Sequence, residues 1–128
     1  MQPGTVLIVD DYADARASLR EMLEELGHPV IEASNGREAL DVLLFRRDAR
    51  ISLILLDLHM PVMDGWEFLD VVRSYVSLAS IPVLVVSAYA ALLSPLRQRS
   101  LVGAVQAPFE LPKLRALVQA LQVNHPLS

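Results

Sequence analysis

Ile51-Ser52-Leu53-Ile54-Leu55-Leu56-Asp57 is the stretch that decides the fold. An apolar run this short suits a strand better than a helix, and its continuity suits a strand covered on both faces of a sheet. The same pattern recurs on either side. Thr5-Val6-Leu7-Ile8-Val9 runs into Asp10-Asp11, and Ile81-Pro82-Val83-Leu84-Val85-Val86 runs into Ser87. Val102-Gly103-Ala104-Val105-Gln106 is a weaker copy that ends before Ala107-Pro108. Pro29-Val30-Ile31-Glu32-Ala33 is more polar and reads as an edge strand.

Helical spacing fills the gaps between these runs. Leu19, Met22, Leu23 and Leu26 fall at i, i+3, i+4 and i+7 before Gly27 stops the helix. Leu40, Leu43 and Leu44 line a second helix after Asn35-Gly36, and Phe68, Leu69, Val72 and Val76 line a third opened by Asp64-Gly65. Ser94-Pro95 reads as the N-cap and first residue of a short or displaced helix. Leu111, Leu114, Leu117, Val118 and Leu121 mark the last helix, with Pro112 tolerable in its first turn. Five β–α units with short connections predict an α/β fold in three layers, a parallel sheet between two layers of helices. Residues 1–128 are expected to form one domain with no output domain, fraying over residues 124–128.

Composition narrows the function. A chain 53% hydrophobic and 20% charged, with mean hydropathy +0.39, is not a disordered one. A net charge of −4 without a basic stripe argues against a nucleic-acid partner. The absence of cysteine excludes disulfides and thiolate metal sites. No apolar run reaches the roughly 18 residues of a membrane span, and no cationic segment precedes an apolar one at the N-terminus. A cytoplasmic protein with no membrane partner is the expectation.

In open α/β sheets, ligands bind beyond the carboxyl ends of the strands. The polar residues at those ends are Asp10, Asp11, Asp57 and Ser87. Carboxylates converging on one sheet edge repel, and a hard divalent cation such as Mg²⁺ compensates, since it takes a few carboxylates and keeps several waters. A cation, a carboxylate and a hydroxyl together suit phosphoryl transfer, where positioning and charge stabilisation dominate. Singly, each residue has a blander role: Asp11 as a helix cap, Ser87 as a turn hydroxyl. The joint pattern at three strand ends favours a site.

Asp57-Leu58-His59-Met60-Pro61-Val62-Met63-Asp64-Gly65 resembles the D-x-x-M-P-x-M-D-G segment of response-regulator receiver domains in two-component signalling. The resemblance covers essentially the whole chain, through Asp10-Asp11, Ser87-Ala88 and Ala107-Pro108-Phe109, and the chain is similar to the single-domain chemotaxis-type regulators. It implies a flavodoxin-like (βα)5 fold with strand order 2-1-3-4-5. It implies that Asp57 accepts a phosphoryl group from a histidine kinase, a phosphotransfer protein or a small phosphodonor. Asp10, Asp11 and Asp57, with the backbone carbonyl of His59, would hold Mg²⁺, or Mn²⁺ as a substitute. Ser87 would be the switch hydroxyl, Pro61 and Gly65 would shape the loop, and Met60 and Met63 would pack. The implied protein is not an enzyme beyond Mg²⁺-dependent self-phosphorylation and self-dephosphorylation. It would signal as a monomer or weak homodimer through an unknown downstream protein.

The sequence departs from the family pattern in four places. Ala107 stands where the family has a lysine that pairs with the acceptor and then the phosphoryl oxygens, a charge-assisted bond worth about 1.5–3 kcal/mol. Gln106, adjacent on the strand, should point to the other face, and Lys113 and Arg115 should face outward on the last helix, so no replacement cation is evident. Ala104 takes the place of the aromatic switch residue. The segment after Ser87 is about two residues short of the family spacing, which puts the usual signalling face in doubt. His59 and Tyr89 occupy the positions that screen the acyl phosphate from water in the family, which implies slow self-dephosphorylation or mere surface variation. A pseudo-receiver, docking partners without phosphorylation, is therefore the alternative to a stand-alone phosphorelay receiver. A haloacid-dehalogenase-type phosphatase would need an Asp where His59 stands. A nucleotide-binding flavodoxin-like domain would need a glycine-rich loop in place of Asp10-Asp11-Tyr12-Ala13.

Overall fold

Strands β1 (Thr5–Val9), β2 (Val30–Ala33), β3 (Ile51–Leu56), β4 (Val83–Ser87) and β5 (Gly103–Gln106) form one parallel sheet in the order β2-β1-β3-β4-β5. This computed structural model describes residues 4–46, 48–90, 93–94, 101–106 and 111–124. Helices α1 (Ala13–Glu25), α2 (Gly36–Phe45), α3 (Gly65–Ser74) and α4 (Leu111–Asn124) cover the sheet. The architecture is the expected flavodoxin-like one. The expected helix near Pro95, Ala107-Pro108-Phe109 and residues 125–128 of the tail lie outside the described residues.

Alternate residues of each central strand feed opposite faces, as the period of 2 requires. Leu7, Val9, Ile54, Leu56, Val83 and Val85 pack with Ala39 and Leu40 of α2 and Phe68, Leu69 and Val72 of α3. Val6, Ile8, Leu53, Leu55, Leu84 and Val86 pack with Leu19, Met22 and Leu23 of α1 and Leu114 and Val118 of α4. Both faces of β1, β3 and β4 are thus dry, which is why their sequences run apolar without alternation.

The strands starting near proline begin slightly later than their apolar runs. Pro29 and Pro82 cannot donate to the ladder, but their carbonyls accept from Val6 and Ile54, both at 2.9 Å. Helix α1 closes on Leu26, and Gly27 follows with φ +90°, a conformation that favours glycine.

Two helical stripes differ from the sequence expectation. Helix α3 ends at Ser74, and Val76, expected on its buried face, is 95% exposed. The hydroxyl of Ser74 donates back to the Val71 carbonyl at 2.6 Å, and Arg73 Nη1 donates to the carbonyls of Ala79 (2.8 Å) and Ile81 (3.2 Å). These bonds tie the chain into a turn instead of another helical turn. On α4, Leu114 and Val118 are buried and Leu121 is half-buried, whereas Leu111 and Leu117 are exposed. Among the described residues, α4 packs against α1 and the sheet face that holds Val86 and Val105, so the sheet and one helix cover only a narrow stripe. No helix among the described residues is long and apolar enough to cross a membrane.

Candidate functional site

The strand order reverses between β1 and β3, where an open α/β sheet forms its crevice. Val9 is opposite Leu56 in that pairing, so the residues that follow, Asp10 and Asp57, emerge side by side. Backbone bonds fix both: the Asp10 N–H donates to the Ala33 carbonyl at 3.1 Å, and the Asp57 N–H to the Val9 carbonyl at 2.9 Å. Asp11 joins them, and one carboxylate oxygen from each of Asp10, Asp11 and Asp57 lies within 4.8 Å of the others. Asp10 is only 8% exposed, Asp57 is half-buried and Asp11 is exposed.

Burial pushes the Asp10 carboxyl up from 3.8 to about 6. The Tyr12 N–H, donating to Asp10 Oδ1 at 2.9 Å, works against this, as does Arg16, while the charges of Asp57 and Asp11 add to the rise. The N-cap of α1 is Tyr12, with no side-chain cap bond, so Asp11 does not have the capping role it could have played. The donor set is all oxygen, strongly anionic and open to water at Asp11, and it fits a hard divalent cation.

The loop after β3 is held by several independent contacts. The Leu58 N–H donates to Asp57 Oδ1 at 2.8 Å and, more weakly, to Ser87 Oγ at 3.4 Å. Ser87, 1% exposed, also accepts from the Tyr89 N–H at 3.1 Å, so it closes the turn after β4 as well as reaching the loop after β3. The Met63 N–H donates to the Pro61 carbonyl at 2.7 Å, closing a three-residue turn around Val62, whose φ of 67° is strained for a β-branched residue. The Met63 carbonyl in turn accepts from the Gly36 N–H at 2.9 Å, docking the loop on α2. Met60 is buried, and Met63 packs against the same core, as packing residues should.

Gly65 is dictated by close approach. Its N–H donates to the Leu58 carbonyl at 2.9 Å, and a Cβ there would run into the Asp57 carbonyl oxygen and the Leu58 Cα. Asp64 caps α3, accepting from the Glu67 N–H at 2.9 Å.

His59 and Tyr89 stand exposed at the rim with ring centroids 5.2 Å apart and planes tilted by 36°. Gln106 is opposite Ser87 in the β4–β5 pairing and is exposed, as is Ala104. Lys113 is exposed, and Arg115 turns to Glu25 of α1 at 2.8 Å. Sequence reasoning missed Arg16, whose Nη1 donates to the Asp10 carbonyl at 2.7 Å. An arginine on the polar side of a helix carries no local signal that it turns inward.

Comparison with known proteins agrees with this geometry. The family described as response regulator receiver domain matches residues 6–119. The sporulation initiation phosphotransferase F of Bacillus subtilis is 33% identical over 122 residues, which cover 93% of this chain and 94% of that protein. The sensor histidine kinase CheAY of Helicobacter pylori is 39% identical over 82 residues, 64% of this chain but only 10% of that protein's length. Among solved structures, the response regulator protein TrrA of Thermotoga maritima, in complex with Mg²⁺-BeF, superposes with a TM-score of 0.79. It is 28% identical, with 93% of this chain and 99% of that one covered. Sheet order, acidic pocket and sequence match converge, and the chain belongs to the response regulator receiver domain family.

Proposed function

We propose that this chain is a phospho-accepting receiver in a phosphorelay, with Asp57 as the acceptor. The observation that carries the reading is the convergence of Asp10, Asp11 and Asp57 at the β1/β3 crevice. Asp10, Asp11 and Asp57, with the His59 carbonyl, would hold Mg²⁺, or Mn²⁺ in its place, and the ion would supply charge neutralisation for the transferring phosphoryl group. A carboxylate oxygen of Asp57 attacks phosphorus. The bond from phosphorus to the donor's imidazole nitrogen or acetyl oxygen breaks, and the leaving group keeps the electron pair. The product is an acyl phosphate on Asp57. The Leu58 N–H beside Asp57 Oδ1 orients the acceptor. Ser87, tied to the same N–H, reports the new charge. The His59–Tyr89 ring pair screens the acyl phosphate from water and slows its hydrolysis.

The donor is a histidine kinase or phosphotransfer protein, in keeping with the named functions of the Helicobacter and Bacillus relatives. The signal leaves through contacts with a downstream protein, in the cytoplasm, from a monomer or weak homodimer. A second reading has one observation in its favour: Ala107 in place of the family lysine fits a pseudo-receiver that docks partners without phosphorylation. Acetyl phosphate with Mg²⁺ separates the two. The phospho-accepting reading expects a phosphoryl adduct in the intact mass of the wild type and none in Asp57→Asn. A wild type without an adduct at millimolar Mg²⁺ would leave the docking module as the better account.

A further inference from the structure

Arg16, on the first turns of α1, is three-quarters hidden or more, with 19% of its side chain exposed. Its guanidinium reaches two elements at once. Nη1 donates to the backbone carbonyl of Asp10 at 2.7 Å, and Nε donates to Glu32 Oε1 at 3.0 Å. Glu32 lies on β2, opposite Ile8 of β1, and its second oxygen accepts from Arg20 Nε at 2.7 Å. Asp10 is therefore gripped at three polar points: its N–H by Ala33, its Oδ1 by Tyr12 and its carbonyl by Arg16. One planar side chain thus joins α1 and the edge strand to the end of β1, where the acidic pair begins.

We infer that Arg16, anchored by Glu32, is a positioning residue that fixes the Asp10-Asp11 backbone so that their carboxylates can share a divalent cation with Asp57. The inference rests on reading this pocket as a Mg²⁺-dependent acceptor site. Charge alone works against it, because a guanidinium beside the pocket repels a cation. Geometry works for it, because a planar fork can hold the Asp10 carbonyl and Glu32 together, whereas an ammonium lacks that fixed geometry. The two effects have opposite signs on Mg²⁺ affinity, so the sign of the change identifies which one governs.

The experiment is calorimetric titration of Mg²⁺ into the wild type, Arg16→Met, Arg16→Lys, Arg20→Met and Glu32→Gln at neutral pH, with a thermal melt of each. Arg20→Met is the control, because Arg20 pairs with the same Glu32 carboxylate while its other bonds go to Glu24 and the Val30 carbonyl, and the bond to the Asp10 carbonyl comes from Arg16. Arg16→Met is expected to weaken Mg²⁺ binding roughly tenfold, as loss of a supporting contact does at metal sites, even though a repelling charge is gone. Arg16→Lys should lose part of the affinity, Glu32→Gln should lose several-fold, and Arg20→Met should bind as the wild type does or more tightly. Unchanged or tighter binding by folded Arg16→Met would overturn the inference while leaving the acceptor site standing. If Arg16→Met does not fold, unchanged affinity in Glu32→Gln would overturn it instead. A wild type that binds no Mg²⁺ would overturn the site reading and this inference together.

Discussion

Asp10 is a carboxyl group held against its own preference. Its residue is 8% exposed, two other carboxylates adjoin it, and its proton affinity rises from 3.8 to about 6. Because the folded-state value is raised, the folded, metal-free protein binds this proton more tightly than the unfolded chain does. Stability therefore falls as pH rises from the ordinary carboxyl value to about 6, and the cost is fully present above that. Allowing for the water that still reaches the pocket, the cost is about 2 kcal/mol at neutral pH. Asp10→Asn should remove it, raising the thermal midpoint of the metal-free protein by several degrees at neutral pH while weakening Mg²⁺ binding. Melts in chelator across the acid-to-neutral range check both the sign and the window. An Asp10→Asn protein less stable than the wild type at neutral pH would show that the carboxylate is satisfied by contacts rather than strained by burial.

At the scale of elements, the unit that builds the site is β3, its loop and α3. Gly65 fixes the distance between the loop and the helix start, since its Cβ position is filled by the backbone of Asp57 and Leu58. Backbone atoms cannot swing aside as a side chain can. Gly65→Ala should cost about 1–3 kcal/mol in urea unfolding and slow phosphorylation by acetyl phosphate, because the acceptor's own peptide must move. Gly27→Ala is the contrasting case. It meets nothing within 4 Å and strains only its φ of +90°, so it should cost stability without changing the phosphorylation rate. Most of this unit was legible in the sequence. Strands buried on both faces leave unbroken apolar runs, and Asp64-Gly65 marks a helix start by capping chemistry that is local. The missed details depend on what lies across space. Val76 continues the helical period of α3, but side-chain bonds from Ser74 and Arg73 end the helix first. Leu111 and Leu117 fit the α4 period, yet among the described residues it is the Leu114–Val118–Leu121 stripe that finds a covering surface. Arg16 reads as a solvated helix residue until the bond to the Asp10 carbonyl is seen.

Across the whole molecule, the crevice gathers the ends of β1, β3 and β4, so chemistry at Asp57 adjoins the route to the β5 edge. The Leu58 N–H is shared between Asp57 Oδ1 and Ser87 Oγ, and Ser87 is opposite Gln106 of β5; under the proposed function this bond joins the acceptor to the switch hydroxyl. With Ala107 in place of the family lysine, the proposed function assigns this shared N–H the transmission of a new charge on Asp57 toward β4. The central claim is that the pocket takes a phosphoryl group and passes its effect to Ser87. Amide NMR spectra recorded with Mg²⁺ before and after adding beryllofluoride, a phosphoryl mimic, test it most directly. The account predicts shifts at Asp57, Leu58, Ser87, Tyr89 and Gln106 in the wild type and none of them in Asp57→Asn. Spectra unchanged by beryllofluoride at millimolar Mg²⁺, or shifts that persist in Asp57→Asn, would contradict it.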